Sequence, residues 1–276
     1  MKMIPKIPLP QFPRLGDIER WLSKLGKQTV DFLESAGDIS ILFWRSLTTS
    51  TSTPLRWKAT LEQAYKIGVA SLPLVMLTSL FSGIVLALQS SYQLRLFSAE
   101  QFTSDLVALS VTRELGPVLT AMMVAGRVGA SMAAELGTMK VTEQIDALKA
   151  LATDPIRYLV VPRFLASTIM VILLTIYSDL VGMFGGYVVG VFKLGISSYL
   201  YVHRTIDVLV LKDVYTGLIK AFIFGMLIAV VSCYYGFKAR GGAEGVGQAT
   251  TMAVVVSFIL IIVFDTFFTA FFYLIF

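Results

Sequence analysis

The chain has 276 residues, of which 56% are hydrophobic and 15% are charged, and its formal net charge is +5. Soluble domains carry about 25% charged residues, so this composition leaves too little polar surface for a water-soluble protein of this size. A soluble enzyme, a disordered chain and a disulfide scaffold are thereby disfavoured. The single Cys233 excludes an internal disulfide, and the single His203 leaves histidine-based metal sites and catalytic triads without their usual residues. The composition indicates a polytopic membrane protein.

Five apolar stretches are long enough to cross a bilayer as helices, which takes about 20 residues each. The predicted spans cover residues 67–94, 106–126, 164–192, 214–237 and 245–276. They are continuous runs without the alternation of barrel strands, so the predicted fold class is all-α.

Lysine and arginine are distributed unequally between the two sides of these spans. Outside the spans, 17 of them fall before span one, between spans two and three, or between spans four and five, against 4 on the opposite side. Because positive residues accumulate in cytoplasmic loops, the N-terminus is predicted to be cytoplasmic and the C-terminus periplasmic. The basic residues flank apolar runs instead of forming one soluble basic face, so no nucleic-acid partner is expected.

An amphipathic helix that does not span is predicted over residues 15–47, where apolar or small residues recur at a spacing close to 3.6. Residues 1–55 are therefore assigned to an N-terminal interfacial region on the cytoplasmic side, and residues 56–276 to the membrane domain. Trp21 and Trp44 are candidate headgroup anchors of this helix. The alternative is a soluble helix that packs on a partner.

A second amphipathic helix is predicted near residues 138–152, between spans two and three. Val141, Ile145, Leu148 and Ala152 would share one narrow apolar face, and Glu143, Gln144, Asp146 and Lys149 are polar. Asp154-Pro155 should end the helix, since a residue before proline avoids the α conformation. Such a helix could receive a soluble partner and move both spans, or it could only cover helix ends.

Two stripes of small residues occur at a spacing of four. The first comprises Ala121, Ala125, Gly129, Ala133 and Gly137, and the second comprises Ser178, Gly182, Gly186 and Gly190. Small residues let helix backbones approach closely in lipid, so both stripes predict tight helix packing, within one subunit or across a dimer.

Ionisable residues inside apolar spans are costly and mark candidate functional positions. The sequence places Arg113 and Glu114 in span two, Asp179 in span three, Lys220 in span four and Asp265 in span five. Arg113 and Glu114 are consecutive and point about 100° apart on a helix, so each should find a partner elsewhere. Structural pairs between helices and a proton relay both remain open at this point.

Several chemical signatures are missing from the sequence. No G-x-x-x-x-G-K-[ST] phosphate loop occurs, and the glycine-rich residues 241–251 follow a membrane span instead of a strand, so we interpret them as a flexible connection. No H-E-x-x-H or G-x-S-x-G motif is present, so no catalytic residues, metal ligands or cofactors are predicted.

Residues 113–166 resemble a known family of transporters. They contain the blocks RELGPVLTA, AGRVGA, AAELGTM, TEQIDAL and DPIRYLVVPR, and the resemblance extends to GIVLALQ (83–89) and to Asp265 in VFDTFFTA. This pattern is similar to that of the MlaE/YrbE family of ABC-transporter permeases, which includes the chloroplast lipid-import permeases. The resemblance covers about residues 60–276.

The resemblance implies a homodimeric permease that works with a cytoplasmic ATPase, a periplasmic MCE-domain protein and often a small STAS-domain protein. The expected cargo is a phospholipid or related lipid that moves between the inner and outer membranes, so the chain itself is not expected to be an enzyme. The helix near 138–152 would be the coupling helix, with Glu143, Gln144, Asp146 and Leu148 at the ATPase. Candidate lining residues of the lipid cavity are Leu86, Gln89, Arg113 and Glu114.

Two other functions are weighed against this one. A proton-coupled secondary transporter could use Asp179, Asp265 and Glu114 as proton carriers, although five spans without a visible internal repeat disfavour it. A membrane-embedded lipid-modifying enzyme would need a polar constellation that the lone His203 does not supply.

Overall fold

The structure, a computed structural model, describes residues 15–52 and 56–275, and every regular element in them is helical. The chain divides into two units, residues 1–41 and residues 42–276. Described residues of the first unit belong to the helix Leu15–Ser52, which matches the predicted N-terminal helix and extends it. Trp44 is 64% exposed, while the Trp21 side chain lies outside the described part of the chain.

Five helices of the second unit are long and apolar enough to cross a membrane, which confirms a polytopic helical membrane protein. Span 1 is Trp57–Arg95, span 2 is Glu100–Val141, span 3 is Ile156–Phe192, span 4 is Leu211–Lys238 and span 5 is Gly242–Leu274. Two short helices, Gln144–Ala150 (the loop helix) and Ser198–Val208, lie in the connections.

Spans 3 and 4 form the centre of this bundle. In the most apolar stretch of span 3, 67% of the residues are buried, whereas in that of span 5 only 11% are buried. The main core joins spans 2, 3 and 4 through residues such as Val124, Leu174 and Phe224. Span 5 therefore offers most of its apolar surface to lipid or to a partner.

Both stripes of small residues pack within the chain. A Cβ atom on Gly83 of span 1 would collide with the backbone of Gly182 in span 3. A Cβ atom on Gly129 of span 2 would lie 2.9 Å from Ser232 Oγ in span 4. Close backbone approach, the expected use of small residues in lipid, is thus realised between helices of one subunit.

Span 2 is much longer than the predicted residues 106–126, because nothing breaks the helix before Thr142. Its path includes two π-helical turns, Val111–Leu115 and Ala125–Gly129, and a third π-turn, Ile156–Val160, opens span 3. Pro117 lies two residues after the end of the first of these turns, and Pro162 lies two residues after the end of the third. Since a proline ring lacks an N–H and crowds the preceding turn, local widening of the helix accommodates it.

The interpretation of residues 241–251 as a flexible connection is wrong. Span 5 begins at Gly242, and both Gly241 (86°) and Gly242 (74°) at this turn have a positive φ. The helix continues because it packs on span 2: a Cβ atom on Gly137 would lie 3.4 Å from Val246. Tertiary packing here outweighs the weak helix propensity of glycine.

The predicted continuous helix over 138–152 is also corrected. Span 2 ends at Val141, Glu143 adopts a left-handed backbone conformation (φ 60°), and the loop helix runs only from Gln144 to Ala150. The turn redirects the chain so that Ile145, 3% exposed, is buried while the polar residues beside it face outward.

Candidate functional site

Three spans place charged side chains in contact. The Lys220 ammonium of span 4 lies 2.7 Å from Glu114 Oε2 of span 2 and 2.9 Å from Asp265 Oδ1 of span 5. The Lys220 side chain is 2% exposed, so these carboxylates supply its counter-charge in a poorly solvated position. We call Glu114, Lys220, Asp265 and the neighbouring Thr269 the Lys220 cluster.

The three N–H groups of Lys220 are all used. They are donated to Glu114 Oε2, to Thr269 Oγ1 at 2.7 Å and to the backbone carbonyl of Arg113 at 3.2 Å. The Thr269 hydroxyl in turn donates to Glu114 Oε1 at 3.0 Å. Asp265 Oδ1 has no hydrogen-bond donor among the described residues, so its attraction to Lys220 is electrostatic.

The local sequence explains why a lysine reaches a backbone carbonyl here. Pro117 cannot donate an N–H to the carbonyl of Arg113, four residues earlier. Arg113 and Glu114 both lie within the π-turn Val111–Leu115, where the helix is wider than an α-helix. Gly217 lets span 4 come close, because a Cβ atom there would collide with the Thr112 carbonyl.

Arg113 has a different partner, Asp213 at the start of span 4. Its Nε and Nη2 lie 2.8 and 2.6 Å from Asp213 Oδ1, and Asp213 Oδ2 accepts from the Val210 N–H at 3.3 Å. The Asp213 side chain is 4% exposed and that of Arg113 is 50% exposed. Asp213 was not among the residues predicted from the sequence; the available signal was an acid directly before a predicted span.

The two ion-pair groups border one cleft of about 570 Å³. Its lining comprises Arg113, Glu114, Lys212, Thr216, Lys220, Thr269, Phe272 and Tyr273. Cationic, hydroxyl and aromatic side chains therefore meet at one opening, a combination that suits an amphiphile with an anionic head.

The remaining predicted membrane residues lie elsewhere. Gln89 is exposed on span 1, and Leu86 packs beside Ala87, Val107 and Val111, so neither belongs to the lining of this cleft. Asp179, 8% exposed, abuts Gly116, and its Oδ1 has no hydrogen-bond partner within the described chain. Asp179 is thus separate from the Lys220 cluster.

The four predicted coupling residues are grouped on and beside the loop helix. Asp146 lies 2.7 Å from Lys140 Nζ and 3.4 Å from Lys149 Nζ, and the hydrogen bond from Lys140 holds the pKa of Asp146 below its ordinary value. Gln144 donates to Thr142 Oγ1 at 3.0 Å. Leu148 is half-buried, and Glu143 is exposed and forms no ion pair with the described residues.

A five-span bundle with a charged cluster beside an amphipathic cleft is the architecture of an integral membrane protein, and charges inside spans are typical of substrate and ion pathways. The family model described as "Permease MlaE" matches residues 60–271. A "Probable ABC transporter permease protein" of Rickettsia conorii is 48% identical over 91% of this chain and 97% of its own length. The "Intermembrane phospholipid transport system permease protein MlaE" of Haemophilus influenzae is 36% identical over 92% of this chain and 97% of its own length.

A further relative is the chloroplastic protein trigalactosyldiacylglycerol 1 of Arabidopsis thaliana, 38% identical over 79% of this chain and 63% of its own length. The family match and these identities together establish the family of this chain. It belongs to the MlaE family of ABC-transporter permeases.

Proposed function

We propose that this chain is the membrane subunit of an ABC transporter that moves phospholipids between the inner and outer membranes, driven by a separate ATPase. The observation that carries the proposal is the half-exposed Arg113 guanidinium beside the amphipathic cleft. A phospholipid presents an anionic phosphate next to apolar chains, and the cleft offers a cation next to aromatic side chains. The phospholipid transport named for the Haemophilus influenzae relative agrees with this chemistry.

The phosphate would bind to Arg113. Two of its five N–H groups are directed to Asp213, which leaves three for a ligand. A planar guanidinium binds phosphate oxygens in a bidentate manner, and Asp213 fixes its orientation. Glu114 would serve a structural role, because its carboxylate would repel phosphate and is held by Lys220.

The cytoplasmic ATPase would dock on the loop helix, as its exposed polar face and short connections to spans 2 and 3 support. A second copy of the chain would cover apolar residues of span 5 such as Ile259 and Phe267, which are 55% and 61% exposed. An MCE-domain protein would lie on the periplasmic side, and a STAS-domain protein would bind the ATPase.

The proposed location is the inner membrane, with a cytoplasmic N-terminus and a periplasmic C-terminus, as the distribution of Lys and Arg supports. A reporter fused after Phe276 should be active only if it functions outside the cytoplasm. Cytoplasmic reporter activity there would refute this orientation.

Affinity purification of the detergent-solubilised full-length chain from native membranes, with lipid extraction, tests the whole proposal. We expect a Walker-motif ATPase and phospholipid to co-purify, and a Glu143→Lys variant to lose the ATPase while inserting normally. The matched control is Glu62→Lys, an exposed glutamate in the amphipathic start of span 1. A monomer that transports alone along a proton gradient, with Asp179, Asp265 or Glu114 required, would favour the secondary-transporter alternative.

A further inference from the structure

Arg127, an exposed arginine of span 2, differs from three other cations of the spans in having no carboxylate beside it. Arg113, Arg163 and Lys220 each have a carboxylate within 3 Å. Arg127, in the second π-turn of span 2, forms no ion pair with any described residue; its Nη1 donates to the Ser71 hydroxyl at 2.9 Å. Ser71 is 1% exposed and uncharged, so it orients the guanidinium without neutralising it.

The Arg127 guanidinium borders a second cleft, of about 700 Å³, between the start of span 1 and span 2. Lys66 and the hydroxyl-bearing Ser131 also line this cleft, together with Glu135. Glu135 is already paired with Arg163 at 2.6 Å and with Lys66 at 3.7 Å. Two cations of the lining, Arg127 and Lys66, are therefore set against one carboxylate that Arg163 already neutralises, and the cleft retains a positive charge.

The position of this cleft along the spans matches a layer of lipid headgroups. Trp57, Leu61 and Tyr65 form an exposed stripe on the segment Trp57–Ile67, at 64%, 65% and 66% exposure. Exposed tryptophan and tyrosine beside an apolar span are typical of the membrane–water interface. Residues 67–94 carry no charge, so Lys66 and Ser71 lie where the apolar part of span 1 begins.

We propose that this cleft binds the phosphate group of a phospholipid from the cytoplasmic leaflet, with Arg127 as the principal cation, Lys66 as the second and Ser131 as a hydroxyl donor. The cleft is separate from the one at Arg113, since Arg127 follows Arg113 by 14 positions, about 20 Å along span 2. The assignment to the cytoplasmic leaflet depends on the proposed orientation, but lipid binding here does not depend on transport.

The experiment measures phospholipid binding to the purified full-length protein by native mass spectrometry. The probe is phosphatidylglycerol, and inorganic phosphate is the competitor. The variants are Arg127→Gln, Arg127→Lys and, as a matched control, Arg157→Gln, an exposed arginine at the same end of span 3. Charged hydrogen bonds contribute about 1.5–3 kcal/mol, so Arg127→Gln should weaken binding about 10-fold or more, with partial recovery in Arg127→Lys and no change in Arg157→Gln.

Equal phosphatidylglycerol binding by Arg127→Gln and the control would overturn the proposal. Displacement of the lipid by millimolar inorganic phosphate would also overturn it, because it would identify a site for the free anion. If Arg127→Gln does not fold, Lys66→Gln decides in its place, since the Lys66 side chain is 63% exposed: weaker binding supports the site and unchanged binding refutes it. An Arg113→Lys protein should still bind phosphatidylglycerol at the Arg127 cleft. Its behaviour therefore distinguishes a failure of the transport proposal, which rests on Arg113, from a failure of this one.

Discussion

The Lys220 ammonium donates to the backbone carbonyl of Arg113, the carbonyl to which Pro117 cannot donate an N–H. A side chain of span 4 thus completes the hydrogen bonding of span 2 at its first π-turn. In a bilayer an unsatisfied carbonyl costs several kcal/mol, so this contact links the helix distortion directly to the charge cluster. Lys220 therefore has a backbone role as well as an electrostatic one.

Replacing Lys220 by methionine should strongly destabilise the protein. The change removes the counter-charge of Glu114 and Asp265 and the side-chain donor of the Arg113 carbonyl, and breaking a buried ion pair costs about 3–5 kcal/mol. Thermal unfolding in detergent measures the loss. Lys193→Met, on an exposed lysine at the end of span 3, is the control and should unfold like the wild type. A melting temperature equal to the control's would contradict a structural role.

A double-mutant cycle separates the two roles of Arg113. Arg113→Ala should lower stability by about 2–4 kcal/mol, because Asp213 is left as a buried, unpaired carboxylate. Adding Asp213→Ala removes that charge and should restore most of the stability.

The lipid measurement in the same cycle tests headgroup binding. Both the single and the double variant should retain less phospholipid on purification, since both lack the guanidinium. A stable double variant that carries undiminished lipid would show that Arg113 is only a structural partner of Asp213.

Two glycine-to-alanine substitutions should change the stability of the folded protein in opposite directions. Gly83→Ala places a methyl group against the backbone of Gly182, so spans 1 and 3 must separate, at about 1–3 kcal/mol. Gly247→Ala meets nothing within 4 Å in the first turns of span 5 and should stabilise by about 0.5–1 kcal/mol. Chemical denaturation of both variants measures the difference. Equal stabilities would argue against close packing at Gly83.

The loop helix should stay folded in mildly acidic solution. Because the hydrogen bond from Lys140 lowers the pKa of Asp146 in the folded protein, the carboxylate's contribution is fully present above its unfolded pKa, near 3.8, and is lost as pH falls through the lower folded value. Hydrogen exchange of Gln144–Ala150, corrected for the intrinsic pH effect, should show constant protection from pH 7 to pH 5. A loss of protection within that interval would contradict the Lys140–Asp146 pairing.

The sequence by itself determined the class of protein and the number and order of its spans. Continuous apolar runs must form helices in a bilayer, since lipid cannot satisfy backbone groups, and five such runs predict the five spans that the structure contains. The spacing of small residues likewise predicted close packing, and the structure shows that it occurs within the chain at Gly83–Gly182. The resemblance of residues 113–166 predicted the family that the comparisons confirm.

Only the tertiary structure decided which charges meet. Glu114, Lys220 and Asp265 were all visible as intramembrane charges, but their partners lie more than 40 residues apart, and helix rotation decides which of them face each other. Asp213 and Arg127 were not singled out because a span's end cannot be read from hydropathy alone: Asp213 lies directly before the predicted span four, and Arg127 lies directly after the predicted span two. Helical periodicity also could not reveal the left-handed turn at Glu143, which depends on burying Ile145.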